Sequence, residues 1–307
     1  MGKRKGELIN GWVVVDKPAG TGSTTVVAVV KRLFNAQKAG HAGTLDPAAS
    51  GVLPVALGEA TKTIPYVMDG AKTYRFSVAW GAATDTDDAE GNVIASDSAR
   101  PSEDAILRII PEFTGEIEQV PPKYSAVHVN GKRAYDLARQ NADVVLKPRR
   151  IRIDSLRLIA LPSKDEAVFE VDCGKGTYVR SLARDMAEKL GCLGHIRTLR
   201  RTKCGKFYAD DAFSLEYLES LGHISSESKE LLPVETVLDD IPALAVTQAE
   251  ARFLSNGGFL PFDRGRVKPE GGVLADGAVF QAKCGGRLTA LICVRDGLVR
   301  PVRVIIQ

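Results

Sequence analysis

The hydrophobic period of this chain switches repeatedly between two and 3.6 residues with no regular strand–helix–strand repeat. That irregular mixture narrows the folds open to it more than any other feature. A valine-rich apolar run over 11–16 predicts a strand ending at Lys17-Pro18. Gly20-Thr21-Gly22-Ser23 predicts a turn, with Ser23 or Thr24 as the N-cap of a helix reaching about Phe34. Residues 38–50 are small, glycine-rich and aperiodic, and read as a loop, whereas 51–57 reads as a buried strand and 59–68 as a short helix. Tyr74, Phe76, Val78 and Trp80 alternate through 72–80 as on a half-buried strand. An acidic loop over 85–91 follows, then helices over 103–110, 133–140 and 178–190, with strands over 151–160 and 168–173. These elements argue for an α+β fold, a mixed and largely antiparallel sheet flanked by helices, rather than a doubly wound parallel sheet.

The composition shifts near Leu231-Leu232-Pro233 and Ile241-Pro242. Beyond it come one helix over 247–254 and short strands punctuated by Gly257-Gly258, Gly271-Gly272 and Gly285-Gly286. The tail is therefore expected to be a small β-rich unit, of a size that can fold alone. The expected division is 1–240 and 241–307.

A hydrophobic share of 44% and a charged share of 26% suit an ordinary globular protein. No apolar stretch is long enough to span a bilayer. The basic N-terminus is not followed by an apolar signal region, so a cytoplasmic location and no membrane association are expected. The five cysteines form no Cys-x-x-Cys pair and the four histidines no helical ligand pair, which predicts buried reduced thiols and no metal. A net charge of +3 identifies no partner. Basic residues do cluster at Lys147-Pro148-Arg149-Arg150-Ile151-Arg152 and at 197–203, where they suit either phosphate contacts or the protection of a strand edge.

The turn at 20–25 lacks both the lysine of a phosphate loop and the third glycine of a dinucleotide fingerprint. Zinc deaminase and serine hydrolase signatures are missing as well. Asp46-Pro47 taken alone reads as a turn starter. Its neighbours Lys38, His41 and Thr44 are polar groups on a loop of small residues, where a carboxylate could be held while a ligand approaches over glycine. In Gly174-Lys-Gly-Thr-Tyr-Val-Arg-Ser181, Arg180 could fork onto a carboxylate, and Tyr74 or Tyr178 could stack on a base. Each also suits a plain structural role, and local spacing does not choose.

Taken together, these segments resemble the bacterial tRNA pseudouridine-55 synthase family, usually called TruB. The resemblance runs in order through 11–20, Ala39-Gly-His-Ala-Gly-Thr-Leu-Asp-Pro47, 50–62 and Lys72-Thr-Tyr-Arg75. It continues through 119–126, 131–139, Gly176-Thr-Tyr-Val-Arg180 and Leu199-Arg-Arg201. The tail resembles the small RNA-binding PUA domain that ends many of these enzymes. The resemblance implies that Asp46 is the catalytic carboxylate, Tyr74 the residue that stacks on the target base, and Arg180 the partner of the carboxylate. It further implies that Tyr178 and Leu199 line the pocket, that Lys17 lies near it, and that His41 helps to accommodate a flipped nucleotide. Gly22 departs from the family pattern, which usually has Ser or Thr there.

The implied reaction isomerises uridine 55 in the T arm of tRNA. It breaks the bond from nitrogen 1 to ribose, turns the base and rejoins it through carbon 5, so neither cofactor nor metal is implied. Asp46 could serve as nucleophile or as base. The expected partner is tRNA, bound by a monomer. A non-catalytic RNA-binding or tRNA-folding role, or action on another RNA, are the alternative readings.

Overall fold

The computed structural model describes residues 6–125, 128–129, 132–133, 146–268 and 276–306. The helix expected over 133–140 lies, past Arg133, outside the described residues, as does Gly271-Gly272.

Ten strands build the main sheet. They are β1 (Gly11–Lys17), β2 (Ala39–His41), β3 (Ser50–Leu57), β4 (Lys72–Trp80), β7 (Gly115–Gln119), β10 (Arg149–Ser163), β11 (Glu166–Cys173), β12 (Gly194–Cys204), β13 (Phe207–Tyr208) and β14 (Phe213–Ser214). Their order is β14-β1-β3-β12-β4-β11-β10-β7, with β2 added to β3 and β13 to β12. Only β1 with β14 and β3 with β12 run parallel, so the sheet is mixed and largely antiparallel. A ribbon of β5 (Ala82–Thr84) and β6 (Val93–Ser96), and a second of β8 (His128–Val129) and β9 (Lys132–Arg133), stand apart from it.

Period two explains how β1 and β3 serve both faces of this sheet. Val13 and Val15 of β1 and Leu53 and Val55 of β3 pack under α1 (Ser23–Leu33), against Val26 and Val30. The intervening Trp12, Val14, Val52 and Ala56 form the opposite face, with Phe207 and Val234. Three short helices lie between these elements: α2 (Ile64–Asp69), α3 (Glu103–Ile109) and α4 (Val179–Lys189). Under α4, Leu182, Ala183 and Met186 cover Phe76, Val78, Phe169 and Val171. Tyr74 and Leu199 touch both helix-covered cores, so they mark the seam between them.

β7 and β12 were not expected from the sequence. The basic run at 197–203 lies within β12, in the middle of the sheet. Ser23 does not cap α1: Gly22 holds the cap position, and no side chain bonds there. Cys173, Cys192 and Cys204 are buried thiols as expected, but Cys284 and Cys293 are only half-buried.

After α5 (Leu215–Ser220), a second sheet joins β15 (Ala243–Ala245), β16 (Leu260–Pro261), β17 (Val267–Lys268), β18 (Val279–Cys284), β19 (Arg287–Arg295) and β20 (Leu298–Val304). It shares its interior with α6 (Gln248–Ser255), which begins in a capping box of Thr247 and Glu250. Leu288, Leu291 and Ile305 pack onto the main sheet beside Trp12 and Val234. Hydrogen bonds from Gln281 Nε2 to the Leu238 and Ile241 carbonyls (2.8 and 2.7 Å), and from Lys62 Nζ to the Val304 carbonyl (2.6 Å), tie the two units together.

Candidate active site

The loop carrying Asp46 crosses the end of the sheet and is pinned on both sides of the carboxylate. Ser23 Oγ donates to the Leu45 carbonyl (2.7 Å) and accepts from the Leu45 amide (2.9 Å). Pro47 offers its carbonyl to the Gly20 amide (2.8 Å) and to Lys17 Nζ (3.1 Å). Gly43 has φ +87, and a Cβ there would sit 3.3 Å from Arg201 Nη1, so the turn into the loop suits glycine. Asp46 thus leaves a rigid backbone with its side chain 41% exposed.

Arg180, brought in by the first turn of α4, places Nη2 2.9 Å from Asp46 Oδ2. The contact is not the two-pronged fork expected from the sequence. Nη2 also donates to the Tyr124 carbonyl (2.8 Å), while Nη1 donates to the Thr86 carbonyl (2.9 Å) and lies 3.6 Å from the buried Asp88 carboxylate. With a side chain only 6% exposed, Arg180 is fixed by two backbone carbonyls and the nearby Asp88 charge, and offers Asp46 one of its arms.

Asp46 and Arg180 border a cavity of about 290 Å³. Tyr74, Tyr178 and Leu199 line it as well, together with Lys72 and Arg201. Burial pushes the Tyr74 phenol up, and the Arg201 guanidinium beside it pulls the other way. The Tyr178 phenol is also raised by burial. The Tyr178 amide donates to Gln119 Oε1 (2.8 Å), which anchors the start of α4 to β7.

Two of the residues named from the sequence stand behind the cavity wall rather than on it. Lys17 is fully buried, and its ammonium donates to the carbonyls of Pro18 (2.9 Å), Thr21 (2.7 Å) and Pro47 (3.1 Å). All three of its protons are spent holding the turn under Asp46. His41 sits on β2 with Nδ1 buried and without a hydrogen-bond partner among the described residues. Burial lowers its imidazole, and the charge of Arg201 adds to that.

Arg201, Lys72, Asp88 and Gln119 were not singled out as site residues from the sequence. Arg201 was grouped with surface cations, yet it is 1% exposed and donates to the Val52 (2.8 Å) and Gly43 (2.9 Å) carbonyls. It is therefore no contact for a phosphate backbone. Its signal was present: Arg201 is two residues from Leu199, so a strand puts both on one face. Among the described residues, no three His, Cys, Asp or Glu side chains gather as a metal site.

Residues 31–179 match the N-terminal domain of TruB family pseudouridylate synthases, and residues 180–239 match the tRNA pseudouridylate synthase B C-terminal domain. The chain belongs to the TruB family. It is 54% identical to the tRNA pseudouridine synthase B of Bradyrhizobium diazoefficiens over 301 residues, 96% of this chain and 86% of that one. The Caulobacter sp. tRNA pseudouridine synthase B is 49% identical over 303 residues, 98% of each chain. A chain in the crystal structure of a Cbf5-Nop10-Gar1 complex superposes with a TM-score of 0.73 at 26% identity, covering 97% of this chain and 86% of that one. The pseudouridine synthase fold thus frames the cavity described above. Both TruB domain matches end by residue 239, whereas the relatives extend through the second sheet.

Proposed function

We propose that this TruB-family protein converts uridine 55 in the T arm of tRNA to pseudouridine, with Asp46 as the reacting carboxylate. The observation that carries the reading is a carboxylate on a doubly pinned loop, 2.9 Å from a buried arginine, at the edge of a cavity walled by Tyr74. A base brought against Tyr74 puts its ribose within reach of Asp46. The carboxylate then attacks carbon 1′ or takes a ribose proton. Arg180 holds Asp46 in place, while Tyr74 and Leu199 keep the detached base stacked as it turns. No redox change occurs, and no atom is gained.

The target must leave its stack, which costs a few kcal/mol that contacts elsewhere on the RNA offset. Arg149 and Arg150 are exposed at the start of β10 and suit phosphates; Arg201 does not. We assign catalysis to residues 1–240 and a supporting RNA contact to 241–307, in a monomer. Incubation with unmodified tRNA transcript followed by mapping of pseudouridine tests the proposal. A single modification at position 55 is expected. No pseudouridine, or pseudouridine only elsewhere, overturns the assignment.

A further inference from the structure

Three buried cations lie on or behind the cavity wall with no carboxylate of their own. Lys17, Lys72 and Arg201 are each under 10% exposed, and among the described residues none forms an ion pair. They bond to backbone carbonyls instead: Lys17 as above, Lys72 to Met68 and Gly70, Arg201 to Val52 and Gly43. Lys72 and Arg201 border the cavity itself. The carboxylate there, Asp46, is already matched by Arg180, so the charges of these two are in surplus. Burying an unpaired cation costs several kcal/mol. A neutral donor would serve the same carbonyls, so their hydrogen bonds do not explain the charge. Burial lowers the Lys72 ammonium, and the Arg201 charge adds to that, as expected for two cations sharing one wall.

We propose that Lys72 and Arg201 stabilise the negative charge carried by the uracil ring once its bond to ribose breaks. The inference rests on the isomerase reading above. When the bond from carbon 1′ to nitrogen 1 breaks, its electron pair stays with the base. The ring leaves as an anion whose charge spreads onto its oxygens, whichever role Asp46 plays. Carbon 5 then bonds to carbon 1′, which neutralises the ring and frees Asp46 of its bond to carbon 1′ or of the ribose proton it took. The proton on carbon 5 leaves to solvent and nitrogen 1 takes one up, so the product ring is neutral. Fixed positive groups in a partly dry wall stabilise such a transient anion without reorganising.

The test compares cleavage of uridine with that of 5-fluorouridine at the target position, under single turnover. Fluorine withdraws electrons and stabilises the departing anion by itself, so it should substitute in part for the lost cation. Lys72→Gln keeps a donor and removes the charge; Lys72→Arg keeps the charge. For Lys72→Gln we expect uridine cleavage to slow by roughly 10²-fold, the magnitude for loss of one such stabilising group. The loss on 5-fluorouridine should be markedly smaller, tRNA affinity should be unchanged, and Lys72→Arg should recover most of the rate. Equal losses on both bases, or no loss, would overturn the inference. Should Lys72→Gln not fold, Arg201→Gln carries the same comparison with the same expected and contrary outcomes. Failure of the unmodified protein to convert uridine would instead remove the isomerase reading.

Discussion

Beneath the cavity, Lys17, Lys72, Arg180 and Arg201 are buried and bonded largely to backbone carbonyls. The interior of the second sheet instead gathers Leu254, Phe280, Ile292 and Val299, with Gln281 as its buried polar side chain among the described residues. The second sheet is stabilised in the ordinary way, by roughly 1.5–3 kcal/mol for each large apolar side chain removed from water. The cavity end gives up stability to hold charges in fixed positions, since burying an ion costs several kcal/mol. One region is organised for persistence, the other for electrostatic preorganisation, and mutations should separate the two.

The largest stability effect is expected at Phe280. Phe280→Ala should cost about 3–5 kcal/mol in denaturant unfolding. The rate of a single turnover at saturating tRNA should not change, because Phe280 packs in the interior of the second sheet and does not line the cavity. A slowed chemical step would break the division between the regions. Arg180→Lys should have the opposite signature. One ammonium cannot meet the acceptors that the guanidinium spans, so we expect the single-turnover rate to fall roughly 10²-fold with tRNA binding retained. A rate near that of the unmodified protein would show that charge alone suffices.

Ser23→Ala should fall between these signatures. It leaves the Leu45 amide and carbonyl unpartnered, costing about 1–3 kcal/mol, and slows turnover because Leu45 precedes Asp46. Loss of stability with full turnover would mean that Asp46 does not depend on that pin. The smallest effect is expected at Glu250. Its hydrogen bond with Arg266, and then the Thr247 amide, hold its carboxyl down at about 2 against an ordinary 4.5. A depressed carboxyl contributes fully above its unfolded value, and the contribution is lost as the pH falls from about 4.5 toward about 2. Glu250→Gln should therefore be slightly less stable at neutral pH, by under about 1 kcal/mol for so accessible a pair. The gap should close on acidification through that window, as thermal melts at several pH values would show.

Much of the architecture was legible because burial left a period in the sequence. β1, β3 and β4 carry apolar runs or alternation, and the helices at α1, α3 and α4 carry the 3.6 period. β12 was hidden for a physical reason. Two of its arginines have partners remote in sequence: Arg200, half-exposed, forks onto Asp16 at 2.9 Å, and the buried Arg201 bonds to carbonyls of β3 and the Asp46 loop. A strand that buries charge does not alternate. Ser23 misled in a similar way, since a local capping pattern lost to a tertiary partner, Leu45. The proximity of Asp46 and Arg180 is a property of the folded sheet, and only the resemblance to a family anticipated it.

In the proposed reaction Asp46 performs the chemistry and the rest of the site holds it and the base in place. Asp46→Asn tests it most directly, with tritium release from 5-tritiated uridine in tRNA as the measure of turnover and tRNA affinity and melting recorded beside it. We predict an unchanged fold, near-normal affinity, and turnover reduced by at least about 10³-fold. Turnover close to that of the unmodified protein would show that another group carries the reaction.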